Sequence, residues 1–105
     1  MLVLLNRLIN NIKGRNIMAK FHIEVPHESD ETLCKRAIQI FLQSGSHFLT
    51  NAEWGCLDGD HKAWIIAEAD SREEARGILP PAYRHRAKIV QITRFTAKDL
   101  SEQHQ

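Results

Sequence analysis

The sequence predicts an α+β domain, a four-stranded antiparallel sheet with two helices on one face, in the order βαββαβ. Three observations carry that expectation. Apolar and polar residues alternate in "FHIEVPHE" (21–28), the period of a half-buried strand, and "AKIVQITRF" (87–95) reads as a last strand. "SDETLCKRAIQIFLQSG" (29–45) opens on helix-capping residues and ends on a glycine stop. Asp58-Gly59, a dipeptide suited to a type I′ turn, separates two further strand-like runs.

Each element follows in order. In the first strand Phe21, Ile23 and Val25 form one face, His22 and Glu24 the other. In the first helix Ser29 is the expected N-cap, with Asp30 and Glu31 in the first turn where the helix dipole favours negative charge. Leu33, Ala37, Ile40 and Phe41 make its apolar stripe, and Gly45 ends it. "FLTNAEWGCLDGDHKAWIIAEAD" (48–70) reads as a hairpin. Ser71 and Glu74 form a capping box opening the short helix "REEARGIL" (72–79), which Pro80 and Pro81 terminate. The last strand is followed by a polar tail, 97–105, expected to fray.

A chain of 105 residues, 43% hydrophobic and 26% charged, suits one modest globular domain, assigned to 18–96. The net charge of +1 is unevenly spread, because Arg7, Lys13 and Arg15 lie in residues 1–17 with no acid. The rest is net negative, which argues against nucleic acid as a partner. No apolar run approaches the roughly twenty residues of a membrane span, so no transmembrane segment is expected. Without a signal peptide or a C-x-x-C motif, Cys34 and Cys56 are expected as free thiols in a cytoplasmic protein. The extension 1–17 is basic and amphipathic, with Leu5, Leu8, Ile9 and Ile12 at helical spacing. It fits a mis-assigned start ahead of Met18, a docking helix, or a targeting peptide.

The βαββαβ order is that of the ferredoxin-like split βαβ arrangement. "KFHIEVPHE", "EWGCLDGDHKAWIIAEADSREEARGILPP" and "AKIVQITRF" resemble small uncharacterised bacterial proteins of the dimeric α/β-barrel superfamily. In that superfamily two ferredoxin-like protomers press their open sheet faces together. It includes muconolactone isomerases, antibiotic-biosynthesis and haem-degrading monooxygenases, and proteins with no assigned activity. The resemblance covers about 18–96 and implies the fold and a homodimer. No motif selects one activity or cofactor.

A two-residue turn at Asp58-Gly59 pairs Cys56 with His61, Trp54 with Ala63 and Glu53 with Trp64. One hairpin face is then Trp54, Cys56, His61, Ala63, Ile65 and Ala67, which suits the underside of helices. The other carries Glu53, Gly55, Leu57, Lys62, Trp64, Ile66 and Glu68 and continues His22 and Glu24, about 7 Å apart along their strand. From the last strand Val90 and Ile92 are expected to face the helices, with Ile89, Gln91 and Thr93 open.

Two constellations carry chemistry. His22, Glu24, Trp64 and Glu68, with Glu53 beside them, offer an aromatic wall and a histidine near carboxylates, suited to a small-molecule ligand at the dimer interface. His22 and Glu24 are the candidate catalytic pair if the protein is an isomerase or cofactor-poor monooxygenase. A structural or regulatory dimer is the third reading. Cys56 and His61, directly opposed, are the candidate metal ligands, with His22, His27 or His47 as a conceivable third. The C-x4-H spacing matches no structural zinc pattern. "DGD" (58–60) lacks the remaining ligands of a calcium loop, no glycine-rich phosphate loop is present, and "YRHRAK" (83–88) reads as a solvated connection.

Overall fold

A computed structural model describes residues 18–101. The expectations for 1–17 and for the end of the tail lie outside the described residues. Strand β1 is Ala19–Pro26, followed by helix α1 (Glu31–Leu42) and a single turn, α2 (His47–Thr50). A two-residue strand β2 (Glu53–Trp54), a 3₁₀ turn (Cys56–Asp58) and β3 (Lys62–Ala69) form the hairpin. Helices α3 (Arg72–Ile78) and α4 (Pro81–Arg84), strand β4 (Lys88–Ile92) and α5 (Ala97–Ser101) complete the order. The four strands form one antiparallel sheet, ordered β2-β3-β1-β4, with β1 and β3 central. Among the described residues no helix is long and apolar enough to cross a membrane.

The core lies on one side of the sheet. Phe21, Ile23 and Val25 from β1 and Ala63, Ile65 and Ala67 from β3 are buried against Ala37, Phe41, Leu49, Ala75, Leu79 and Tyr83. The alternation read from the sequence therefore sorts these two strands correctly. Burial of a side chain such as Phe41 stabilises the fold by about 1.5–3 kcal/mol. Its ring makes edge contacts with Trp54 (5.0 Å) and Tyr83 (5.6 Å).

Helix α1 departs from expectation in two ways. Its N-cap is Asp30 rather than Ser29, the carboxylate accepting from the Leu33 N–H at 3.0 Å. The buried stripe is Cys34, Ala37 and Phe41, while Leu33 is exposed and Ile40 only half-buried. Rotating the stripe by one position turns Cys34 inward. At α3 Ser71 is the N-cap as expected, its Oγ accepting from the Glu74 N–H, the N-cap half of the expected box. Arg84 then binds the Leu79 and Gly77 carbonyls near its end.

Strand β4 presents the opposite face from the one expected. Ile89 is buried beside Ile23, and Val90 is exposed beside His22. The alternation in "KIVQI" is apolar at three of five positions, so the pattern alone leaves its phase open. The tail forms a helical turn where fraying was expected, with Thr96 and Asp99 exchanging side-chain to backbone hydrogen bonds as a reciprocal cap.

The hairpin has the expected register, Glu53 opposite Trp64 and Trp54 opposite Ala63, but not the expected turn. A type I′ loop needs positive φ at both central residues, and here only Gly59 has it (φ 84°). Residues 55–61 instead close through Gly55, whose N–H donates to the Lys62 carbonyl and whose carbonyl accepts from Asp58 and Asp60. Leu57, expected on the sheet, projects from this loop into solvent.

Candidate metal centre

The loop and two strand ends converge on four side chains: His27, Cys34, Cys56 and His61. His27 follows the last residue of β1, and its N–H donates to the His61 carbonyl at 3.0 Å, continuing the β1–β3 ladder one step past Pro26 and Lys62. Cys34 sits in the first turn of α1, where its N–H reaches the Asp30 carbonyl at 2.8 Å. Cys56 opens the 3₁₀ turn that Gly55 introduces. Only glycine fits at 55, since a Cβ there would stand 2.6 Å from the Asp60 carbonyl oxygen and 2.8 Å from the Trp64 ring.

His27 Nε2 lies 3.3 Å from Cys34 Sγ and 3.2 Å from Cys56 Sγ, and the two sulfurs are 3.4 Å apart. With one ring nitrogen of His61, the four donor atoms all lie within 4.8 Å of one another. A tetrahedral zinc ion, with Zn–S about 2.3 Å and Zn–N about 2.0–2.1 Å, sets its donors roughly 3.3–3.8 Å apart. Three of the four therefore stand close to coordinating separation, with His61 the looser arm.

The surroundings are apolar on one side and solvent-facing on the other. His27 and Cys34 are buried, Cys56 and His61 half-buried. Trp54 packs its ring edge-on to His27 at 5.3 Å, and the two histidine rings lie 5.4 Å apart at 80°. Burial lowers the His27 pKa below the ordinary value, and the neighbouring His61 lowers it further. Burial, followed by the adjacent Cys34, raises that of the Cys56 thiol. The Nδ1 atoms of both histidines are buried without a hydrogen-bond partner. It is the other ring nitrogen of His27, Nε2, that faces the two thiols, the disposition of an imidazole metal ligand. Beside the cluster, Glu28 and Arg86 pair at 2.8 Å and anchor the end of β1 to the chain before β4.

The structure brings Cys56 and His61 together as the sequence suggests, although across a loop rather than as a ladder pair. Of the three histidines considered as a third ligand, His27 joins them, while His22 is on the opposite sheet face and His47 is exposed against Phe48. Cys34 was missed as a ligand. Its signal is the arrangement H-x6-C…C-x4-H, which places a histidine at each of two paired strand ends, 27 and 61.

The other constellation occupies the open face in successive rows. Glu24 is opposite Trp64, His22 opposite Ile66, and Lys20 opposite Glu68. Glu24 accepts a hydrogen bond from Trp64 Nε1 at 3.1 Å and lies 3.9 Å from Lys62 Nζ. Glu53 flanks Trp64 from the other side. His22 stands one row further along and Glu68 one row beyond it, exposed. A concavity of about 490 Å³ lies between Met18–Lys20 and Gln91–Arg94 and touches none of His22, Glu24, Trp64 or Glu68.

No protein-family model, curated protein or solved structure matches the chain.

Proposed function

We propose that this protein binds one zinc-class divalent ion through His27, Cys34, Cys56 and His61. The observation that carries this reading is the mutual approach of His27 Nε2, Cys34 Sγ and Cys56 Sγ at 3.2–3.4 Å. Two thiolates and two imidazoles suit a soft or borderline metal and exclude magnesium or calcium, which take oxygen ligands. Four protein ligands complete a tetrahedron and leave no open position for substrate, so the ion is held rather than used as a Lewis acid. It joins the end of β1, the start of α1 and the 55–61 loop. Metal analysis after dialysis against zinc should give one equivalent per chain for the wild type, falling well below one for the Cys34→Ser/Cys56→Ser pair. Equal retention by both proteins contradicts the reading.

The strand order is compatible with a ferredoxin-like arrangement, and we infer membership of the dimeric α/β-barrel superfamily from the sequence resemblance. A second reading, compatible with the first, is a homodimer through the open sheet face. Ile66, His22 and Val90 form one row across that face, and Ile66 and Val90 are exposed at 49% and 42%. Exposed apolar side chains on an uncovered sheet suit an interface, and Glu24 is already engaged by Trp64 and Lys62.

A further inference from the structure

The two cysteines of the centre are also neighbours of each other. Their sulfurs are 3.4 Å apart, although Cys34 belongs to the first turn of α1 and Cys56 to the loop before β3. A disulfide needs about 2.0 Å between sulfurs, so the two must approach by about 1.4 Å. Cys56 is the less buried of the two, half-buried on a loop whose next residues, 57–60, are exposed, while Cys34 is buried. A less buried sulfur with a second one beside it is the arrangement of an attacking and a resolving thiol.

Resting on the metal reading above, we infer that a hydroperoxide regulates this centre by joining Cys34 to Cys56 and thereby expelling the ion. The Cys56 thiolate attacks the outer peroxide oxygen, the O–O bond breaks, and the alcohol leaves after taking up a proton. Cys56 is then a sulfenic acid. The Cys34 thiolate displaces its oxygen, which leaves with a second proton as water, and the Cys34–Cys56 bond forms. The two thiolates lose two electrons and the hydroperoxide gains them. Both sulfur ligands are consumed in that bond, so two histidines remain and the divalent ion departs unchanged in charge. A dithiol reductant reverses the step by exchange.

The test uses the full chain loaded with zinc and treated with hydrogen peroxide, with released zinc read by a chromogenic chelator and the protein by intact mass and peptide mapping. The expected result is one zinc released per chain, in step with the loss of two hydrogens and a Cys34–Cys56 linked peptide pair, and full rebinding after dithiothreitol. Zinc that stays bound under peroxide, or is released with sulfinic acid in place of the internal disulfide, overturns the switch and leaves the metal site standing. A chain that takes up no zinc before peroxide is added overturns both, whether or not the disulfide forms.

Discussion

His27 Nε2 lies 3.2 Å from Cys56 Sγ, a contact spanning 29 residues of sequence. Two backbone features produce it. The β1–β3 ladder delivers His27 to His61, and the loop closed on Gly55 folds Cys56 back over them. Helix α1 adds Cys34 because its inward stripe runs through Cys34, Ala37 and Phe41.

Metal should stabilise the wild type and spare only variants outside the centre. At a hundredfold excess over Kd, a ligand that binds only the folded state adds about 2.7 kcal/mol. In a domain of this size that raises Tm by on the order of ten degrees. Thermal unfolding with and without zinc should show such a rise for wild type, His22→Ala and His47→Ala. Cys34→Ser and His61→Ala should lose most of it. A shift that persists in Cys34→Ser, or disappears in His22→Ala, places the metal elsewhere.

Gly55→Ala tests the loop. The new Cβ clashes with both the Asp60 carbonyl and the Trp64 ring, each within 3 Å. Overpacking of this kind costs about 1–3 kcal/mol, and the displaced loop carries Cys56. The variant should unfold at lower temperature and bind zinc more weakly, the latter read by competition with a chelator. Unchanged values for both would mean that the loop relaxes freely.

The open face is tested by Ile66→Glu. Ile66 is 49% exposed in the single chain, so the substitution leaves the core intact while adding a charge beside His22. Sedimentation should show a wild-type dimer and a folded mutant monomer, whose Tm is lower by the dimerisation it has lost. A monomeric wild type at micromolar concentration removes the dimer reading without touching the metal centre.

Alkaline pH should weaken the fold through Tyr83. Burial, aided by the charge of Glu28, raises the Tyr83 pKa above its ordinary value. The folded state then holds the phenolic proton more tightly than the unfolded chain, whose tyrosines titrate near 10. This contribution is complete below about pH 10 and is lost as pH rises through the raised native value. Melting curves between pH 8 and 11 should fall more steeply for wild type than for Tyr83→Phe. Parallel curves would show that the phenol keeps water contact in the fold.

How much of this was written in the sequence differs by element. Phe21, Ile23 and Val25 and the hairpin register were legible because strict alternation and a two-sided pairing rule leave one consistent solution. The phase of β4 was not, since Ile89, Val90 and Ile92 offer apolar residues to both faces. In α1, Leu33 and Cys34 compete for the stripe, and hydrophobicity favours leucine; tertiary packing reverses the choice and turns Cys34 into the centre. Half of the site, Cys56 and His61, was visible from their proximity across a turn. The other half depends on where β1 ends and how α1 is rotated, which local patterns do not specify.

Two thiolates and two imidazoles in a single tetrahedral site have a spectral signature that cobalt(II) titration of the metal-free, reduced chain reads. The titration should show the intense visible bands of tetrahedral cobalt with thiolate-to-cobalt charge transfer in the ultraviolet, saturating at one equivalent and bleached by zinc. The same titration of the Cys34→Ser/Cys56→Ser variant should lose the charge-transfer band. A weak octahedral spectrum, no saturation at one equivalent, or an identical spectrum from the variant would contradict such a site.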